Sequence, residues 1–252
     1  GLVGSEMCIR DSLRQTLPQV FADRDAITSD VWHRDITFHK GKRYLIEAAS
    51  GTGKSSLCSY VYGYRNDYQG IINFDERNIR SLSVNDWTDI RKHSLSILFQ
   101  ELRIFPELTA IENIQLKNRL TNFKKRKEVL TLFEAIGIAD KVNEKAGKLS
   151  FGQQQRVAFI RSLCQPFDFI FLDEATNALD ANNEREIMEQ LHAFYKGRTV
   201  VVVAHRLSTV RDADKIVVLD KGRIVEEGTH QELTALRGTY YKLVKNQLEL
   251  GN

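Results

Sequence analysis

Hydrophobic positions along this chain follow two different periods, and the period changes twice. The first part carries short runs that are apolar at successive positions: Tyr44-Leu45-Ile46, Gly70-Ile71-Ile72-Asn73-Phe74 and Ser96-Ile97-Leu98-Phe99. Such runs predict strands. Helices are predicted over Ser56–Tyr64 and Val84–Lys92, and Arg14–Glu47 reads as strands with a hairpin. After Gln100 the spacing becomes helical over Thr109–Leu120, Lys124–Ile136 and Gly152–Leu163. Residues 100–165 are therefore expected to form a helical lobe inserted into the fold. Strand and helix then alternate again over Phe169–Leu172, Glu184–Tyr195, Thr199–Ala204, Lys215–Leu219 and Arg223–Glu226, and the tail Thr229–Leu250 reads as helical. This alternation predicts an α/β fold with a mainly parallel sheet and an antiparallel β part near the start.

The segment between the strand at Tyr44–Ile46 and the helix after it is Ala48-Ala49-Ser50-Gly51-Thr52-Gly53-Lys54-Ser55-Ser56. Glycines let successive backbone N–H groups curl around one anion, and the following helix points its positive end at the same place. Lys54 has the reach to touch β and γ phosphates, and the Ser55 hydroxyl can ligand Mg²⁺. The first glycine of the usual phosphate-loop motif is Ala48 here. A plain Gly/Ser turn has a similar composition, so the loop needs support from elsewhere in the chain.

That support comes from Phe169-Ile170-Phe171-Leu172-Asp173-Glu174, a buried-strand pattern ending in two acids. Ligands of open α/β sheets bind at the carboxyl ends of the strands. Asp173 there can hold Mg²⁺ through water, and Glu174 can polarise an attacking water. Between the two motifs lies Leu149-Ser150-Phe151-Gly152-Gln153-Gln154-Gln155-Arg156. Ser150 is placed to cap a helix, with Gln153 closing a capping box. A capped helix start also offers free N–H groups to an anion, so the two roles are compatible.

This last segment resembles the signature motif of ATP-binding cassette (ABC) ATPases, with Phe151 where glycine is usual. The family's other motifs occur in order, over most of the chain. The resemblance implies that Gln100 is the Q-loop glutamine, touching Mg²⁺ and the attacking water. Asn177-Ala178-Leu179-Asp180 resembles the D-loop, and Val201-Val202-Val203-Ala204-His205 the strand that ends in the switch histidine. The implied catalytic set is Glu174, His205 and Gln100. The implied nucleotide contacts are Phe21, residues 48–56, Ser150, Gly152, Gln153 and Asp180, with Ser55, Gln100 and Asp173 toward Mg²⁺. Phe21 is the aromatic assigned to stack on adenine, with Trp32 as its competitor. The implied fold is a P-loop NTPase (RecA-like) core.

The two halves resemble different branches. Up to about Phe169 the chain is similar to stand-alone ATPases of the lipoprotein-release and macrolide-export type. Ala204-His205-Arg206-Leu207-Ser208-Thr209-Val210 and Gly228-Thr229-His230-Gln231-Glu232-Leu233 are similar to exporter ATPase domains.

Composition narrows the class. The chain has 252 residues, 42% hydrophobic and 27% charged, which suits a globular protein with a large core. A net charge of +3 gives no electrostatic case for nucleic acid. No apolar run approaches the ~20 residues of a membrane span. Cys8, Cys58 and Cys164 lack metal-ligand spacing, and Cys58 reads as a small core residue. Lys124-Lys125-Arg126-Lys127 is the densest basic run, readable as a solvated helix start or as a contact for anionic lipid heads. Residues 1–12 share no period with the neighbouring segment and resemble a translated adaptor scar. They are set apart as non-native, leaving 13–252 as the ATP-binding domain.

The expected function is hydrolysis of ATP, with Mg²⁺, driving transport across a membrane. The expected partners are a membrane-spanning transporter domain, meeting the region of Phe105, Pro106 and Leu108, and a second copy in a head-to-tail homodimer. The expected location is the cytoplasmic face of a membrane, as in the bacterial inner membrane. A soluble ABC-type conformational switch, or a nucleotide-binding module with little turnover, are the alternatives.

Overall fold

The computed structural model describes residues 10–18, 36–48, 54–173, 198–203, 213–220 and 223–250. Its centre is a six-stranded sheet of β3 (Arg43–Ala48), β6 (Leu95–Leu98), β7 (Phe169–Asp173), β8 (Thr199–Val203), β9 (Lys215–Asp220) and β10 (Arg223–Gly228). Their order is β10-β9-β3-β8-β7-β6. All neighbours pair parallel except β10, which returns antiparallel on β9.

The apolar run of β7 is explained by burial on both faces, whereas that of β4 (Tyr68–Phe74), in an antiparallel sheet, leaves Ile71 43% exposed. In β7, Phe169 and Phe171 join one core while Ile170 and Leu172 join the other. The period of two along a strand divides one continuous apolar run between two cores. On the Phe169 side lie α1 (Lys54–Val61) and a four-stranded sheet, ordered β2-β1-β4-β5. It is built from β1 (Arg10–Pro18), β2 (Ile36–His39), β4 (Tyr68–Phe74) and β5 (Arg77–Asn78). Aromatic rings join the sheets edge-on: Phe38 with Phe171 at 6.0 Å and Phe74 with Phe169 at 6.1 Å.

The turn at residues 40–42 does not close a hairpin within one sheet. β2 pairs with β1, whereas β3 enters the parallel sheet. Strand β1 starts at Arg10, so residues 10–12 are paired, opposite His39, Phe38 and Thr37.

The helical lobe consists of α3 (Ala110–Asn118), α4 (Arg126–Ala135) and α5 (Phe151–Leu163). It shares the Ile170 core through Ile114, Val129, Phe133, Val157 and Ile160, all essentially inaccessible. Helix α2 (Val84–His93) starts on a Ser83–Asp86 capping box. The tail is helical but broken in two, α6 (His230–Leu236) and α7 (Thr239–Leu250). Arg237 takes a left-handed φ of 51°, and the Glu226 carboxylate accepts hydrogen bonds from the Thr239 and Tyr240 amides. A carboxylate from β10 thus opens a new helix start. Cys58 and Cys164 are buried free thiols, and Cys58 is a core residue as expected.

Candidate functional site

Parallel pairing brings the chemistry-bearing ends together. The register aligns Ile46 with Val203, Asp173 with Val203, and Leu98 with Leu172. The carboxyl ends of β3, β8, β7 and β6 therefore line one edge, in the spatial order 48, 203, 173, 98. Strands lie about 4.8 Å apart, so the ends of β3 and β7 are about 10 Å from each other. Ala48 ends β3 and Asp173 ends β7. Lys54 and Ser55 open α1, with five residues between Ala48 and Lys54. Gln100 follows β6 by two residues and is exposed. Topology thus gathers the phosphate-loop flanks, Asp173 and Gln100 at one edge, from positions up to 125 apart. Ser56 is half-buried, and its Oγ accepts a hydrogen bond from Arg65 at 3.2 Å. Phe21, Ala49, Ser50, Gly51, Thr52, Gly53, Glu174, Asp180 and His205 lie outside the described residues.

The signature segment has the predicted local chemistry. Ser150 is the N-cap of α5: the Gln153 amide donates to Ser150 Oγ at 3.3 Å, and the Ser150 amide donates to Gln153 Oε1 at 3.0 Å. Gly152 sits in the first turn, and the Phe151 ring is 62% exposed, so it contributes nothing to the core. At the far end of the same helix, Ser96 Oγ in β6 donates to the Ser162 carbonyl at 2.7 Å. With a rise of 1.5 Å per residue, Ser150 stands about 18 Å along the helix from that sheet contact.

Between β6, α3 and α5 lies a cleft of about 120 Å³, lined by Tyr62, Tyr64, Phe99, Arg103, Lys117 and Arg161. Arg161 donates to the carbonyls of Arg103 at 2.8 Å and Leu102 at 2.6 Å, tying the segment after Gln100 to α5. Buried Asn113 fixes the next stretch, accepting from the Phe105 amide at 2.9 Å and donating to the Phe105 carbonyl at 3.0 Å. Arg91 of α2 donates to the carbonyls of Tyr62 and Gly63 just past α1, where a cation is favoured. Lys117 donates to the Arg91 carbonyl at 3.4 Å. Burial, then the nearby Arg161 and Arg91, push its pKa down from 10.5 to about 8. Burial likewise lowers that of Arg161 and raises that of Tyr62 to about 12.

These supporting residues were not singled out by motif. Lys117 did leave a signal: it continues the stripe Ala110, Ile111, Ile114 at the next turn of α3, a cation at a core-facing position.

The fold and the edge it builds are those of a P-loop NTPase: a mainly parallel sheet, a helix that begins six residues after the end of one strand, and an acid at the end of another. The chain belongs to the ABC transporter family, whose model matches residues 33–177. It is 36% identical over 224 residues to multidrug resistance protein 1 of Entamoeba histolytica, covering 84% of this chain and 17% of that protein. It is also 36% identical over 224 residues to the ATP-dependent lipid A-core flippase 1 of Colwellia psychrerythraea, covering 85% of this chain and 36% of that protein. The chain thus spans only a minor part of these relatives' length. Among solved structures it is similar to a bacterial Atm1-family ABC exporter with ATP bound, at TM-score 0.78 and 29% identity, covering 98% of this chain and 43% of that one. A dimeric bacterial ABC transporter cassette superposes at TM-score 0.76 and 27% identity, covering 87% of this chain and 98% of that one.

Proposed function

We propose that this chain binds and hydrolyses ATP and that the cycle drives transport through a membrane-spanning partner. The observation that carries this is the shared sheet edge, where the ends of β3, β7 and β6 bring Lys54, Asp173 and Gln100 into one neighbourhood. Phosphoryl transfer to water is mainly positioning and charge neutralisation. Lys54 and the backbone of residues 50–55 neutralise the phosphates. Glu174 orients and deprotonates the water, and His205 contacts the γ-phosphate. Phe21 stacks on adenine, and Asp180 of the D-loop contacts the nucleotide.

Ser55, Gln100 and Asp173 offer only hard oxygen donors, the set Mg²⁺ prefers. Bound there, Mg²⁺ would supply charge compensation for the phosphates.

Ser150, Gly152 and Gln153 act on the nucleotide of a second copy in a head-to-tail dimer. Two observations support this: the distance along α5 between the Ser150 cap and the Ser162 contact with β6, and the dimeric cassette that this chain resembles. The exposed Phe105 and Pro106 give the membrane partner its docking surface. The domain boundaries are then an ATP-binding domain over 13–252 and a helical subdomain over about 100–165. The site of action is the cytoplasmic face of a membrane, as in a bacterial inner membrane.

Calorimetric titration with ATP tests the site. Lys54→Ala should abolish binding while leaving the thermal melt in place. Unchanged affinity in that variant would remove Lys54 from the nucleotide site.

A further inference from the structure

The turn from α3 into α4 is a second charged feature, separate from the nucleotide edge. Arg119, Lys124, Lys125, Arg126 and Lys127 are set against a single acid, Glu128. That acid is already used, accepting from the Lys125 amide at 2.8 Å. Among the described residues no ion pair engages Arg119, Lys125, Arg126 or Lys127, and all four are exposed. Cations at a helix N-terminus oppose the helix dipole, so this charge works against the stability of α4.

The turn is also firmly built. Asn118, 4% exposed, donates to the Lys124 carbonyl at 2.9 Å and accepts from the Lys124 amide at 3.0 Å. The Asn122 amide donates back to the Asn118 carbonyl at 2.7 Å, with Asn122 at a left-handed φ of 50°. These bonds fold residues 119–124 back, so the start of α4 lies beside the end of α3. There, one turn apart, Leu116 and Leu120 are 46% and 54% exposed. Unpaired cations around two exposed leucines form the footprint of a surface that rests on anionic lipid. An acidic protein groove would also match the charge, but the one carboxylate among these cations, Glu128, already accepts from the Lys125 amide, which leaves little to pair with a partner's lysines and arginines. A sheet of uniform negative charge suits this one-signed patch better.

We propose that the α3–α4 turn, with Arg119, Lys125, Arg126, Lys127, Leu116 and Leu120, binds the surface of an anionic bilayer directly. This contact does not require ATP hydrolysis, so it can fail or succeed independently of the function above.

Co-sedimentation of the purified chain with vesicles tests it. Vesicles of about three parts phosphatidylcholine to one of phosphatidylglycerol should bind the chain, and pure phosphatidylcholine should not. Each cation near such a surface multiplies affinity about fivefold, so Lys125→Gln, Arg126→Gln and Lys127→Gln together should lower partitioning on the order of a hundredfold. Salt at about 0.5 M should release the native chain. Leu120→Ser should weaken binding and leave the salt dependence unchanged. Circular dichroism melts should show Leu120→Ser folded like the native chain and the triple variant melting no lower, since every altered side chain is exposed and the lost cations opposed the α4 dipole. Equal binding to neutral vesicles, no binding to anionic ones, or undiminished binding by the folded triple variant would overturn the proposal.

Discussion

Replacing Lys117 by methionine should stabilise this protein. The side chain enters the cleft beside Phe99 and Arg103, near Arg161 and Arg91, with one long hydrogen bond to the Arg91 carbonyl. Its pKa falls from 10.5 to about 8, first through burial and then through the two arginines. At about 1.4 kcal/mol per decade, that fall costs the folded state about 3 kcal/mol while the ammonium is charged. Solvent reaching the cleft reduces this to about 2 kcal/mol. Methionine matches the length, fills the space without charge and leaves no buried donor behind. For a chain of this size the gain should raise Tm by roughly 4–8 °C at pH 7.

The pH dependence separates this cause from better packing. Lys117 has a folded pKa below its unfolded one. Below about pH 8 both states hold the proton, and the whole cost is present. Between about pH 8 and 10.5 the folded chain has released a proton that the unfolded chain keeps, so stability rises with pH. Tyr62, raised to about 12, acts in the opposite sense above pH 10, and it does so equally in both proteins. Chemical denaturation of the two proteins from pH 7 to 10 should therefore show their difference shrinking as pH rises. A destabilised Lys117→Met, or a stability gap that does not change with pH, would refute the electrostatic account of this cleft.

Three further outcomes rest on named residues. Glu174→Gln should keep ATP affinity and lower turnover by at least about a hundredfold, measured by phosphate release. Gly63→Ala should lose roughly 2–4 kcal/mol by urea denaturation, because Gly63 has a φ of 71° and its Cβ would collide with the Trp87 ring. Phe151→Gly should raise the ATPase rate with stability changed by less than about 1 kcal/mol, since the ring is exposed and packs on no core.

Much of this architecture was legible because its signals are local. Four apolar residues at 169–172 announce a doubly buried strand, and the spacing at 110, 111 and 114 announces a core-facing helix. The Ser150–Gln153 capping box was readable from two residues three apart, and it is there. What was not legible depends on distant partners. Nothing near His39 says that the strand before the turn pairs with β1 while the strand after it joins another sheet. The break at Arg237–Gly238 owes its geometry to Glu226, a strand away. The roles of Arg161 and Asn113 rest on carbonyls that only folding brings within reach. Motif order gathered the proposed nucleotide residues, whereas the cleft of Lys117, Arg103 and Arg161 carries no motif.

The central claim is a nucleotide site completed by a second copy of the chain. It is tested most directly by the ATPase rate per chain as a function of protein concentration. The rate should climb steeply at low concentration and level off as dimers form. Ser150→Arg should abolish it without loss of ATP binding, and mixing that variant with Lys54→Ala should restore some activity by leaving one intact composite site. A rate per chain independent of concentration, in a protein shown by light scattering to remain monomeric with ATP, would contradict the account.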